Sequence, residues 1–139
     1  MHGVEECAGN VQQLCVAKYE SSSVWWEFVQ CQNYEGRSKI GNPDLALKCA
    51  SAVGIDWENS NSGRCAGLDG SGKGPEGVTL LKESVRLGQK LGVKSSCTVL
   101  ISGRKVCVHD GTWKECENGH SVNDFVRQIN QEYDKLNEV

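Results

Sequence analysis

Eight cysteines are spread over 139 residues, yet no two of them stand in a Cys-x-x-Cys, so the usual dithiol spacing of a redox pair is missing. Only two prolines occur, Pro43 and Pro75, and none follows Pro75. No apolar run approaches the ~20 residues that span a bilayer, which excludes a membrane-crossing helix. No basic stripe accompanies the net charge of −3, which argues against nucleic acid as a partner. Met1 to Gly9 lacks the basic start and apolar stretch of a signal peptide. His2, His109 and His120 have no nucleophile motif beside them, so no hydrolase triad is implied. With 139 residues and 38% apolar content, the chain reads as a single domain, 1–139, with a modest core.

The cysteines themselves are Cys7, Cys15, Cys31, Cys49, Cys65, Cys97, Cys107 and Cys116. An even number at wide spacing reads as a disulfide framework made in an oxidising compartment, and all eight are candidates for structural bridges. Eight cysteines allow 105 pairings, among which spacing alone does not choose. Cys7 and Cys15 are the exception, because they fall on one helix. Eight residues of helix rise about 12 Å, whereas bridged Cα atoms sit about 4.4–6.8 Å apart. Each must therefore find its partner elsewhere. Cys107 and Cys116 flank a turn-rich loop and make the most plausible local bridge. Together with His109 and His120 they could instead ligate zinc, but the spacing C-x-H…C-x3-H fits no common zinc pattern, and no metal is assigned.

Read in order, Glu6 to Tyr19 has helical periodicity. Ser21 to Ser23 break it and offer caps to a second helix rich in large side chains: Val24, Trp25, Trp26, Phe28 and Val29. So dense a cluster favours core or interface packing over ligand stacking. Asn42-Pro43-Asp44 starts a third helix with a cap, a first-turn proline and an acid. Gly54 ends it. Asp56 to Gly67 predicts one more short helix, holding Trp57 and Cys65. Gly67 to Gly74 has part of a phosphate-loop pattern, but Gly74 stands where Ser or Thr must bind Mg²⁺, and no strand precedes it. An ordinary flexible loop is expected, with no cofactor. Asp69 also fails the Ca²⁺-loop pattern. Pro75 to Gly92 is amphipathic. The period then changes to two: 96–101 and 104–109 predict a hairpin around Ser102-Gly103. Ser121 to Asp124 forms a capping box, and Val122, Phe125, Val126, Ile129, Tyr133 and Leu136 follow at near-ideal helical spacing.

The opening stretch His2-Gly3-x2-Glu6-Cys7-x2-Asn10-x4-Cys15 resembles the signature of the gamma-interferon-inducible lysosomal thiol reductase (GILT) family, Cys-Gln-His-Gly-x2-Glu-Cys-x2-Asn-x4-Cys. Six fixed positions agree without a gap: His2, Gly3, Glu6, Cys7, Asn10 and Cys15. Met1 stands in place of Gln. The helices carrying Cys31, Cys49 and Cys65 resemble the family's helical insertion. The resemblance implies a mixed α/β fold: an incomplete thioredoxin-like fold of helix, antiparallel hairpin and helix, with a disulfide-linked helical insertion. Residues 1–67 would carry the signature and insertion, and 75–139 the C-terminal half of the thioredoxin-like fold. The family's redox-active Cys-x-x-Cys lies upstream of the signature, so the expectation is an N-truncated chain without its redox pair. No catalytic residue is assigned, and the signature positions are expected to be structural. The cis-proline of such folds would fall near Ser95 or Ser96, where this chain has none, so its contact with substrate backbone is not expected here.

What the resemblance implies for function is reduction of disulfides in protein substrates, in a secreted or lysosomal (vacuolar) setting. A mixed disulfide formed by a thiolate is the expected route. A second reading is a secreted, disulfide-rich binding module without redox activity, and a third is a bare fragment with none. In an incomplete fold, Cys97 to Ile101 would form an open, uncharged strand edge. Such an edge predicts self-association, segment swapping or local disorder.

Overall fold

The computed structural model describes residues 3–138. The chain divides into two compact units, the first ending at Val85 and the second beginning at Arg86.

The first unit is helical. It holds α1 (Val4–Tyr19), α2 (Ser22–Tyr34), a 3₁₀ turn (Arg37–Lys39), α3 (Pro43–Ala52), α4 (Asn61–Ala66) and most of α5 (Pro75–Lys90). Local chemistry sets the helix starts. The Ser21 hydroxyl accepts from the Val24 amide, Asn42 Oδ1 from those of Asp44 and Leu45, and the Ser60 hydroxyl from that of Gly63. Each satisfies a donor that a first turn leaves unpaired. The core comprises Val11, Cys15 and Val16 of α1, Phe28 of α2, Leu45, Ala46, Cys49 and Ala50 of α3, and Ile55, Trp57, Cys65 and Ala66. Phe28 and Trp57 stack with centroids 6.2 Å apart, and the Trp57 indole N–H donates to the Gly67 carbonyl at 3.1 Å. Trp25 packs against this core, whereas Trp26 is 52% exposed. The tryptophan pair is thus divided between the core and solvent.

Two bridges clamp the helices. Cys15–Cys65 joins α1 to α4 across 50 residues, and Cys31–Cys49 joins α2 to α3 across 18. The glycine-rich stretch 67–74 differs from the flexible surface loop the sequence led one to expect. Gly70, Gly72 and Gly74 are buried. At Gly72, φ is +67°, and a Cβ there would stand 2.5 Å from the Ala8 carbonyl oxygen. The stretch is glycine-rich because backbone packs on backbone.

The second unit contains a three-stranded antiparallel sheet in the order β1 (Thr98–Ile101), β2 (Arg104–Asp110), β3 (Thr112–Lys114), followed by α6 (Val122–Asn137). Val99 stands opposite Cys107 and Thr98 opposite Val108, with a bulge between Val99 and Leu100. β3 is an addition to the expected hairpin, turned back at Asp110-Gly111. Cys107–Cys116 staples the end of this meander. Bridged cysteines are unavailable as thiolate ligands, so a zinc site built on Cys107 and Cys116 does not form. Ser121 and Asp124 make the expected capping box at the start of α6. The apolar stripe of α6 does not form a core, however. Among the described residues of α6, only Gln128 is fully buried, and Val122, Val126, Ile129, Tyr133 and Leu136 are all exposed. The chain is therefore mixed α/β: helices, one three-stranded antiparallel sheet and three disulfides.

Candidate functional site

The signature stretch folds into one element. Gly3, with φ +124°, is the N-cap residue of α1, and Glu6, Cys7, Asn10 and Cys15 all lie on that helix. His2 lies outside the described residues. Cys15 is fully buried in its bridge to Cys65. Cys7 is half-buried and takes no part in the three bridges described, and Cys97 is an exposed free thiol just ahead of β1.

What fixes α1 in place is a residue that the sequence did not single out. Gln12 is fully buried. Its Nε2 donates to the Gly70 carbonyl at 2.7 Å and to the Gly41 carbonyl at 3.3 Å. Its Oε1 accepts from Gln32 Nε2 at 3.0 Å, and Gln32 Oε1 accepts in turn from Gln13 Nε2 at 2.8 Å. One side chain thereby ties α1 to α2, to the loop before α3 and to the loop after α4. At Gly41, a Cβ would fall 1.9 Å from the Glu5 carbonyl oxygen, so the chain passes directly against the first turn of α1. The early hint of this network is a pair of adjacent glutamines, Gln12 and Gln13, set between Val11 and Leu14, a weak signal.

The outward side of α1 lines a groove of about 710 Å³ shared with α2 and the 37–40 turn. Glu6, Asn10, Gln13, Asn33 and Arg37 give it polar walls, and Val29 and Ile40 add apolar surface. Asn10 and Gln13 also border a smaller hollow of about 330 Å³ with Leu14, Trp25 and Leu81. Two signature positions, Glu6 and Asn10, therefore face an open groove, while a third, Cys15, is locked in the core. At the far end of α1, Lys18 and the Tyr19 hydroxyl both donate to the Glu76 carboxylate. These bonds hold the Glu76 carboxyl below its usual range and push the Tyr19 phenol up.

In the second unit, the Trp113 ring has His120 stacked at 5.0 Å and the edge of His109 at 4.8 Å. The backbone N–H of His109 donates to the Cys97 carbonyl at 3.0 Å, placing Cys97 across from it. Cys97 has φ +58°, an uncommon conformation for a residue other than glycine. Among the described residues no group of three or more His, Cys, Asp or Glu side chains is placed to hold a metal ion, and no helix is long and apolar enough to cross a membrane.

The model of one family, gamma interferon inducible lysosomal thiol reductase (GILT), matches residues 1–53. No curated protein and no solved structure matches the chain. The matched segment contains the whole signature, both partners of the Cys31–Cys49 bridge and the groove-lining face of α1. Over this segment, where the signature forms a single clamped helix, the chain is similar to the GILT family.

Proposed function

We propose that the chain serves a thiol:disulfide oxidoreductase that reduces protein disulfides, and that these residues supply its clamped signature scaffold and a groove for substrate. The observation that carries this reading is the signature helix. Its Cys15 and Gln12 are committed to structure, and its Glu6 and Asn10 face an open groove. In such exchange a thiolate attacks one sulfur of the substrate disulfide. The other sulfur leaves as thiolate, and a second thiol resolves the mixed disulfide. A Cys-x-x-Cys pair for both steps is not present in this sequence. A thiol-oxidising setting, secreted or lysosomal, suits a scaffold held by three bridges.

The test compares the protein from its native source with the bare 139-residue chain in the reduction of a disulfide protein such as insulin at acidic pH. The expected result is turnover by the native-source protein and only the background rate from the bare chain. Intact mass then shows whether the active species carries more sulfur than these eight cysteines. No turnover from the native-source protein would overturn the reading. It would leave the alternative of a disulfide-rich binding module without redox activity, favoured by the six cysteines already joined in bridges.

A further inference from the structure

Between α6, β2 and the segment that follows β3 lies a cavity of about 470 Å³. That is within the ~300–1,000 Å³ of small-molecule sites. Of β1 only Ile101 reaches it, so it lies over the inner part of the sheet and not along the outer strand. Its walls are tied to one another. The Cys107–Cys116 bridge holds the 115–117 segment to β2, Arg127 donates to the Asn118 carbonyl at 2.8 Å, and Arg104 of β2 donates to Glu132 of α6.

Two acceptors on the wall are only partly used. Gln128 is only 5% exposed and lines the cavity. Its Nε2 donates to the Asp124 carbonyl at 3.1 Å, while its Oε1 accepts from no described residue. Among the described residues no fully enclosed side-chain oxygen or nitrogen lacks a partner, so this oxygen reaches the open space of the cavity. Glu132 follows four residues later, on the same face of α6. Its Oε1 takes both Arg104 and Lys135, and its Oε2 takes no described partner. Three cations and three carboxylates line the wall in all, because Lys105, Glu115 and Glu117 join Arg104, Lys135 and Glu132.

We propose that this cavity binds a small zwitterion: an α-amino acid or short peptide with a free ammonium, a free carboxylate and an apolar side chain. An ammonium brings three donors and no acceptor, which Gln128 Oε1 and Glu132 Oε2 can receive. A carboxylate fits the guanidinium fork of Arg104 and the ammonium of Lys135. Ile101 and Val106 offer surface to the side chain. Arg104 and Lys135 are 65% and 63% exposed, so exchanging their present ion pair for a ligand carboxylate costs little. The balance of charge decides against simpler ligands. A lone anion would leave the Gln128 oxygen without a donor, a lone cation would face Arg104 and Lys135, and a neutral sugar would use neither sign.

The test is amide NMR of the full chain titrated with leucine and with leucylglycine. The expected result is saturable shifts at 101–106, 115–118 and 128–135 with at least one of the two, and the tighter one tells amino acid from peptide. Isoamylamine, which lacks the carboxylate, and isocaproate, which lacks the ammonium, should each bind at least tenfold more weakly. Gln128→Met and Glu132→Gln should each weaken binding at least tenfold with unchanged circular dichroism, and Asp134→Asn, outside the cavity, should not. Should Gln128→Met fail to fold, Glu132→Gln decides. No saturable shift with either zwitterion would overturn the proposal. So would equal binding of the amine or the acid alone, or binding indifferent to Glu132→Gln.

Discussion

Replacing Gln12 by Leu tests whether one buried amide holds the signature helix to its surroundings. The volume change is small, so packing contributes less than ~1.5 kcal/mol. The polar loss is larger. The Gly70 carbonyl loses a bond of 2.7 Å, the Gly41 carbonyl one of 3.3 Å, and Gln32 Nε2 loses its acceptor. A buried group left without a partner costs about 1–3 kcal/mol. With the long bond to Gly41 at the low end, the total is roughly 3–5 kcal/mol. Urea unfolding followed by circular dichroism should show the midpoint falling by about 2 M with an unchanged slope, at a slope of about 2 kcal/mol/M. Gln32→Leu strands Gln12 Oε1 and Gln13 Nε2 and should cost about 2 kcal/mol. The double variant should cost less than the sum by roughly 1–2 kcal/mol, because the two stranded amides disappear together. A loss below ~1 kcal/mol for Gln12→Leu, or strict additivity, would refute the network as the tie.

Three further outcomes are expected. Removing the Cys15–Cys65 bridge by paired alanines frees a loop of 50 residues and should destabilise the first unit by about 4 kcal/mol, against about 3 for the 18-residue Cys31–Cys49 bridge; equal midpoints in urea would contradict that order. Gly41→Ala puts a methyl on the Glu5 carbonyl at a backbone φ of +98° and should cost at least ~3 kcal/mol, read from the melting temperature, whereas Gly54→Ala, with open space around it, should cost less. The Asp124 carboxyl is held down to about 2, from an ordinary 3.8, by the Ser121 hydroxyl and amide and by Arg127. A depressed carboxyl stabilises α6 above the unfolded value and loses this as pH falls through about 2, so Asp124→Asn should lower helix content at pH 6 and make no difference below pH 2.

Where the fold was legible, a local rule sufficed. Asn42-Pro43-Asp44 and Ser121-Val122-Asn123-Asp124 announce helix starts through bonds made within four residues, and both form as expected. The hairpin turn at Ser102-Gly103 is equally local. What escaped the sequence depends on distant partners. Nothing local marks Gln12 as buried; its partners are carbonyls 29 and 58 positions away. Gly67 to Gly74 reads as flexible because nothing nearby shows that Ala8, Pro43 and Cys65 will press on its glycines. β3 is three residues long, too short to show a period of its own. In α6 the period was correct, but a period tells which side chains share a face and leaves open what covers them.

The division of labour along α1 bears on the chemistry. A residue cannot both hold a scaffold and turn over with substrate. Cys15 is fully buried in a bridge whose loss frees the longest loop in the unit, so its reduction would loosen the frame that the groove depends on. Gln12 is equally committed, with both ends of its amide engaged. Asn10 is exposed on the same helix, and its amide makes no hydrogen bond among the described residues. Its donors and acceptor match those of a peptide bond, which a bound polypeptide would present. Asn10→Ala should therefore leave the urea midpoint within ~0.5 kcal/mol of the parent, as surface changes do, and weaken the hold on an unfolded disulfide protein. Were Asn10→Ala instead to destabilise the chain as much as Gln12→Leu, the signature would be scaffold from end to end, and the groove beside it would have no claim on substrate.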